Sequence, residues 1–390
     1  MPATPREERL RVVVVSHAYN GPGRMAPFAA LGRQVDLTLI GPREHPNGEL
    51  VAPAELNHEY CLDVIALRAR YFGRTQFVVR GLWKTLRTCR PHVVCIEYDP
   101  WHVQFLQVVF TLTVARSAAR IVPVVKKNTF RAQTPVLGRG KRLLAECLLR
   151  RSAGVIAASE MTRDMYIREF DAAAAAIVVQ PHLAVDVSRF RPRKGAAESG
   201  PLRIGFVGKI GATKGVSDLV TAFEDARGRS ATPVELWLAG GIIDPVVGAA
   251  ISDAEHVHHV GVVHNDDLHS FISGLDVFVM PARVLPDHQE HDGRAVLEAM
   301  SAGVPCVVSD SGILPELVSP AEGRVFPAGD ASRLAECLEE LIRSPELRGE
   351  LGKRARQRTV ATVSPDALSA ERVAFFNKIM EGHRERSTSR

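Results

Sequence analysis

At 390 residues the chain exceeds what one hydrophobic core usually supports, and 46% hydrophobic with 24% charged residues is ordinary for a globular protein, so two domains are expected. The net charge of +5 hides an asymmetry: residues 1–200 carry 29 Lys and Arg against 17 Asp and Glu, and residues 201–390 carry 20 against 27. No run reaches the eighteen or so uncharged apolar residues of a spanning helix, no secretory signal opens the chain, and six cysteines lie without paired spacing. The expectation is a cytoplasmic protein with reduced thiols, whose basic first half faces an anionic partner or a solvated surface.

The first half alternates short β-branched runs with helical patterns. Strands are predicted at residues 11–16, 35–40, 93–96, 121–125, 154–158 and 177–179, the spacing of βα units and a parallel sheet. Val103 to Ala115, the most apolar stretch, contains two Gln and reads as a buried helix or sheet element. Asp186 to Pro201 lacks either period and reads as a linker, with the first domain at 1–185. A second alternation follows: strands at 202–207, 234–239, 257–260, 277–280 and 306–308, and helices near 217–226, 266–273, 294–302 and 331–342. The predicted fold class is α/β, two Rossmann-like doubly wound domains facing a cleft, the second at 201–364. A final helix, Pro365 to Glu381, is expected to pack back toward the first domain and to end in a frayed tail, Gly382 to Arg390.

Two motifs carry chemistry. In Gly208-Lys209-Ile-Gly211-Ala-Thr-Lys214-Gly215, a strand ends in a glycine-containing turn with two lysines ahead of a helix, which suits a diphosphate. In the second, Glu290-His291-Asp292-Gly293-Arg294 leads into a short helix carrying Glu298 and ended by Gly303 and Pro305. If the helical path ran throughout, Glu290 and Glu298 would lie two turns and ~12 Å apart along the axis. That separation suits one carboxylate at a sugar and the other at the ribose of one extended nucleotide-sugar. The helix start near Gly293 would point N–H groups at the diphosphate between them. Each motif alone also reads as ordinary solvated side chains.

Together, Gly208-Lys209, Lys214-Gly215 and Glu290 followed after seven residues by Glu298-Ala-Met-Ser-Ala-Gly-Val-Pro resemble glycosyltransferase family 4, retaining enzymes of the GT-B fold. Gly312-Ile-Leu-Pro-Glu316, Gly323 to Asp330 and Ser344 to Arg348 resemble the family's C-terminal pattern, and Arg90-Pro-His-Val-Val and Ala153 to Ser159 its N-terminal domain. The resemblance implies transfer of a sugar from a UDP- or GDP-type donor to an acceptor hydroxyl, with no metal and no other cofactor. Glycan, glycolipid or natural-product synthesis is the implied setting. Lys209 and Lys214 would stabilise the leaving diphosphate; Lys209 stands where the family often has Arg, so a bidentate fork is lost. Glu298 would hold the ribose, and Glu290 with His291 to Arg294 the donor sugar. Gly21 and Gly23 would approach the phosphates, and Gly208 and Val262 complete the donor set. Lys126-Lys127-Asn128 replaces a His that many relatives carry. No general base is expected; front-side attack would rest on orientation and charge stabilisation.

Alternatives are a nucleotide-sugar epimerase of similar shape or an inactive binding subunit. A nicotinamide enzyme lacks its Gly-x-Gly-x-x-Gly, and no nucleic-acid module is visible. His256-Val-His258-His259 reads as a strand start rather than a metal site. The basic residues Arg80, Lys84, Arg87 and Arg90, read as one helix face, and the cluster Arg139, Lys141, Arg142, Arg150 and Arg151 are candidate contacts to an anionic bilayer or acceptor.

Overall fold

The computed structural model describes residues 9–17, 22–44, 62–72, 76–127, 135–170, 172, 176–193, 200–252, 254–286 and 289–388. The chain divides into two compact units, Met1–Ala184 with Pro365–Arg390, and Val185–Ser364.

The first unit holds β1 (Arg11–Val15), β2 (Asp36–Pro42), β3 (Asp63–Leu67), a hairpin of β4 (Ala69–Phe72) and β5 (Gln76–Val79), then β6 (Val93–Ile96), β7 (Arg120–Val125), β8 (Val155–Ala157) and β9 (Ile177–Val179). All but the hairpin form one sheet in the order β3-β2-β1-β6-β7-β8-β9, with every pair parallel. Its central strands are buried on both sides, which is why they read as unbroken valine-rich runs rather than alternating ones. Val12, Val14, Val93 and Cys95 point to one face, where Met25, Phe28 and Leu31 of the helix Pro22–Gly32 and Phe376 of the helix Pro365–Thr388 cover them. Val13, Val15, Val94 and Ile96 point to the other, under the helices Leu82–Cys89, Val103–Val114 and Pro135–Leu149.

The second unit holds β10 (Leu202–Val207), β11 (Val234–Ala239), β12 (Val257–His259), β13 (Val277–Met280), β14 (Cys306–Ser309) and β15 (Gly323–Phe326). They form one parallel sheet, β12-β11-β10-β13-β14-β15. Strand order reverses direction at β1/β6 in the first sheet and at β10/β13 in the second, the points where ligands of doubly wound sheets bind.

Four sequence readings change. Val103–Val114 is a helix, but only half buried: Val103, Leu106, Phe110 and Val114 are exposed, since one sheet face can cover only one side of it. Residues 186–193 are not a free linker. Phe190 is buried in the second core, and the Arg356 guanidinium donates to the carbonyls of Val187 and Phe190 at 2.7 and 2.6 Å. The final helix runs through Gly382 to Thr388 instead of fraying. Lys84 and Arg87 lie within the helix Leu82–Cys89, but Arg80 precedes it and Arg90 ends it in a left-handed conformation, so the four do not share one helix face. No helix among the described residues is long and apolar enough to cross a membrane.

Candidate functional site

The second sheet's switch point gathers the two motifs. After β10 the chain passes Gly208 and the exposed Lys209, and the N–H groups of Gly208 and Ile210 donate to Ala239 and Gly241 at 2.9 Å each. A single 3-10 turn, Ala212–Lys214, follows, and Gly215 then turns the chain into the helix Val216–Gly228. Gly215 is needed there twice over: its φ is +64°, and a Cβ would stand 1.9 Å from the Pro281 carbonyl oxygen. That close approach locks the lysine turn against the loop after β13.

The loop after β13 carries Glu290, whose backbone is held by the segment after β14. Glu290 N–H donates to Ser311 Oγ at 3.2 Å, Ile313 N–H donates to the Glu290 carbonyl at 3.1 Å, and Ser311 Oγ donates to Arg283 O at 3.2 Å. Gly312, at φ +58°, passes so close that a Cβ would lie 1.9 Å from Glu290 O. The Glu290 side chain is buried and receives a hydrogen bond from Lys214 Nζ. Burial pushes its carboxyl up, but the Lys214 charge and hydrogen bond and the N–H groups of Asp292 and Gly293 outweigh burial and hold it below the usual carboxylate range.

The helical spacing expected between the two glutamates does not hold. The helix starts at Arg294, capped by Gly293, so Glu290 sits in irregular chain ahead of it. The Asp292 and Gly293 N–H groups turn to Glu290 itself, because four residues ending in a left-handed glycine fold the carboxylate back over the helix start. Glu298, one turn into the helix, is 5% exposed, and burial pushes its carboxyl up to about 7 against the opposing pull of Arg294 and Arg189. No described residue hydrogen-bonds that carboxyl.

Lys214, Asp292 and Gly293 therefore all meet the Glu290 carboxylate, with Arg294 and Glu298 on the adjoining helix. Lys209 is exposed, and no described residue forms an ion pair with it; His291 is exposed also. Val262 is 78% exposed and lies against Gly241, beside the backbone that pairs with Ile210. Gly23 falls in the first turn of the helix Pro22–Gly32, and Gly21 lies outside the described residues, as does Asn128. Lys126 and Lys127 follow β7, with Lys127 Nζ 5.8 Å from the Trp101 ring centroid. His258 packs on Trp237 at 4.6 Å, and His259 Nε2 lies 2.8 Å from the Gly240 carbonyl oxygen.

Two residues escaped the sequence reading. Arg283 Nε donates to the buried Asp218 at 2.7 Å, and its N–H donates to Thr213 O at 3.1 Å, tying the β13 loop to the lysine turn and the following helix. Arg189, in the stretch taken for a linker, donates to Asn265 O and reaches the field of Glu298. An arginine beside Pro281 and Ala282 offers a weak clue for the first. Nothing local marks the second.

Residues 187–358 match the model of the family described as glycosyl transferases group 1. A GDP-mannose-dependent monoacylated alpha-(1-6)-phosphatidylinositol monomannoside mannosyltransferase of Corynebacterium glutamicum is 27% identical over 49% of this chain and 54% of its own length. A 2-deoxystreptamine glucosyltransferase of Streptomyces kanamyceticus is 30% identical over 50% and 53%. The chain thus spans about half the length of these curated relatives. Crystal structures of Anabaena HepE with UDP and with UDP and glucose superpose at TM-scores of 0.74 and 0.69. They cover 95% and 94% of this chain, and 100% and 99% of theirs, at 14% and 13% identity. With two parallel doubly wound sheets, that likeness makes the fold GT-B.

Proposed function

We propose that this chain is a retaining glycosyltransferase of family 4 that binds a UDP- or GDP-sugar on its second unit and transfers the sugar to an acceptor hydroxyl. The observation that carries this reading is Glu298. A mostly buried carboxyl that accepts no hydrogen bond among the described residues, on the helix that follows the Lys214–Glu290 pair, has its charged form disfavoured by burial, and a ligand's hydroxyls would stabilise that form. Ribose hydroxyls have that chemistry. The stretch that holds these groups is the one that matches the group 1 model, and relatives named as mannosyl- and glucosyltransferases support the class.

In this reading Lys209 and Lys214 neutralise the charge that develops on the departing diphosphate, and Glu290 orients the donor sugar while keeping Lys214 in place. Val262 and Gly241 lie on the donor side beside the lysine loop, with Gly208 letting that loop approach the phosphates. Lysines suffice for neutralisation, so no metal is assigned. The acceptor is a glycolipid, glycan or natural-product hydroxyl held by the basic first unit, and the reaction is cytoplasmic.

A hydrolysis screen of UDP- and GDP-sugars with purified protein, in EDTA and in Mg2+, tests the reading. Slow release of one sugar with its anomeric configuration kept, undiminished by EDTA, is expected. Conversion of a nucleotide-sugar to its epimer, or activity lost in EDTA and restored by metal, would overturn it.

A further inference from the structure

The turn that carries Lys214 is gripped on both sides by one residue of the loop after β13. Arg283 N–H donates to the Thr213 carbonyl at 3.1 Å, just before Lys214. Its guanidinium donates through Nε, at 2.7 Å, and through a terminal N–H to the two carboxylate oxygens of Asp218, in the first turn of the helix Val216–Gly228. Between those grips Gly215 is closed in, since a Cβ there would stand 1.9 Å from Pro281 O and 3.4 Å from Asp218 Oδ2. The same backbone reaches the glutamate loop. Arg283 O accepts from Ser311 Oγ, which itself accepts from Glu290 N–H.

An acid three residues past the helix cap ordinarily turns back onto the free N–H groups of the first turn, or stands against an anion that would use them. Asp218 holds that position, with Gly215 at the cap. Its carboxylate is buried, and the Arg283 fork takes both oxygens. Two parallel N–H···O bonds fix a guanidinium in direction as well as in charge, which a single ammonium does not do. The fork therefore anchors the residue whose backbone N–H meets Thr213, and Lys214 is presented to Glu290 from a braced turn.

We infer that Arg283 is a positioning residue for diphosphate binding: with Asp218 it holds the 3-10 turn so that Lys214 meets the phosphates, and it acts on them only through Lys214. The inference rests on the proposed role of Lys214 as a diphosphate ligand. A pair that served stability alone would leave the parts of a nucleotide equally well bound. A direct phosphate contact from Arg283 would make its loss add to that of Lys214. Positioning makes the diphosphate part alone depend on Arg283, and only while Lys214 is present.

The test is calorimetric titration of the full chain with UDP and GDP, each set against its nucleoside, which lacks the phosphates. Arg283→Ala is expected to lose about tenfold or more in diphosphate affinity, the size of one charge-assisted contact, and to bind nucleoside as the parent does. That variant also strands the buried Asp218 carboxylate, so Arg283→Ala/Asp218→Asn is titrated beside it and should melt near the parent while keeping the diphosphate loss. Lys214→Ala should show the same selective loss, and adding Arg283→Ala to it should cost nothing further. Parent-like UDP and GDP affinity in Arg283→Ala, diphosphate affinity that returns with the melting temperature in Arg283→Ala/Asp218→Asn, or a loss that adds fully to that of Lys214→Ala would overturn the inference. If Lys214→Ala keeps the parent's preference for diphosphate over nucleoside, or neither diphosphate binds the parent, the reading of the lysine turn fails and takes the inference with it.

Discussion

Glu298 and Glu290 stand near each other in sequence and are set to opposite protonation behaviour by what surrounds them. Glu298 has its carboxyl raised to about 7, above the ordinary 4.5, so its neutral form is favoured by folding. A raised carboxyl contributes stability below the unfolded value and loses it as pH climbs through the folded one. The ligand-free chain should therefore lose about 3 kcal/mol from this group between pH 4.5 and 7. Glu298→Gln should remove that loss and melt higher than the parent at pH 8. A ligand hydroxyl donating to the carboxylate reverses the preference, so UDP or GDP binding should tighten through pH 7 in the parent and stay flat in the variant, as titration calorimetry at several pH values would read. Identical pH profiles would remove Glu298 from the ribose. Lys214→Ala strands a buried Glu290 carboxylate, and a loss of about 1–3 kcal/mol is expected, most of it recovered in Lys214→Ala/Glu290→Gln because the buried charge is gone. Turnover should fall by orders of magnitude in both, so that melting curves and kcat together separate the ion pair's structural part from its part in transfer.

At the scale of elements, Glu290 depends on a loop that is pinned rather than on helix geometry. Gly312→Ala would drive a methyl to 1.9 Å from the Glu290 carbonyl oxygen at a φ of +58°, so the loop must move. A stability cost of about 1–3 kcal/mol is expected, with kcat falling more than nucleotide affinity, because Glu298 sits on a separate helix. Parent-like turnover in Gly312→Ala would show that Glu290's placement does not matter. This is also where the sequence was least legible. The central buried parallel strands announce themselves as runs such as Val12 to Val15 and Val93 to Ile96, and their positions were readable to within a residue or two, whereas the edge strands β3 and β15, buried at only some positions, were missed. The hairpin of β4 and β5 was not, since Ala-Arg-Tyr-Phe and Gln-Phe-Val-Val are short and interrupted, and their pairing is set by packing over the sheet. The motif residues were picked out as a set by their resemblance to family 4, since each motif alone also reads as ordinary solvated side chains. Their mutual contact was not, because it depends on Ser311, Gly312 and Arg283, which reach Glu290 and the lysine turn only through the order of strands.

At the scale of the molecule, the chain leaves the first unit at Ala184, builds the whole second unit, and returns at Pro365 to finish the first. The returning helix is not an ornament on that unit. Phe376 is fully buried in its core, Arg372 is 8% exposed with its Nε donating to Gln180 Oε1 at 2.9 Å, and its guanidinium lies 3.8 Å from the buried Glu97. Gln34 Nε2 donates to Ser369 Oγ at 2.8 Å, and the Phe375 ring lies so near Gly154 that a Cβ there would meet it at 2.7 Å. Residues 1–184 alone would expose this core face and leave Glu97 without Arg372, a buried charge short of one of its cations. That fragment is expected not to fold cooperatively, whereas residues 185–364 contain a closed core and the whole lysine–glutamate site and should fold alone and bind UDP or GDP. In the full chain, Arg372→Ala should lower the melting of the first unit and leave untouched the transition that nucleotide raises, since ligand stabilises only the unit that binds it. Differential scanning calorimetry with and without nucleotide measures both. A cooperative melt from residues 1–184 would show that the returning helix is dispensable, and a nucleotide-raised transition that drops with Arg372→Ala would show that the two units unfold as one.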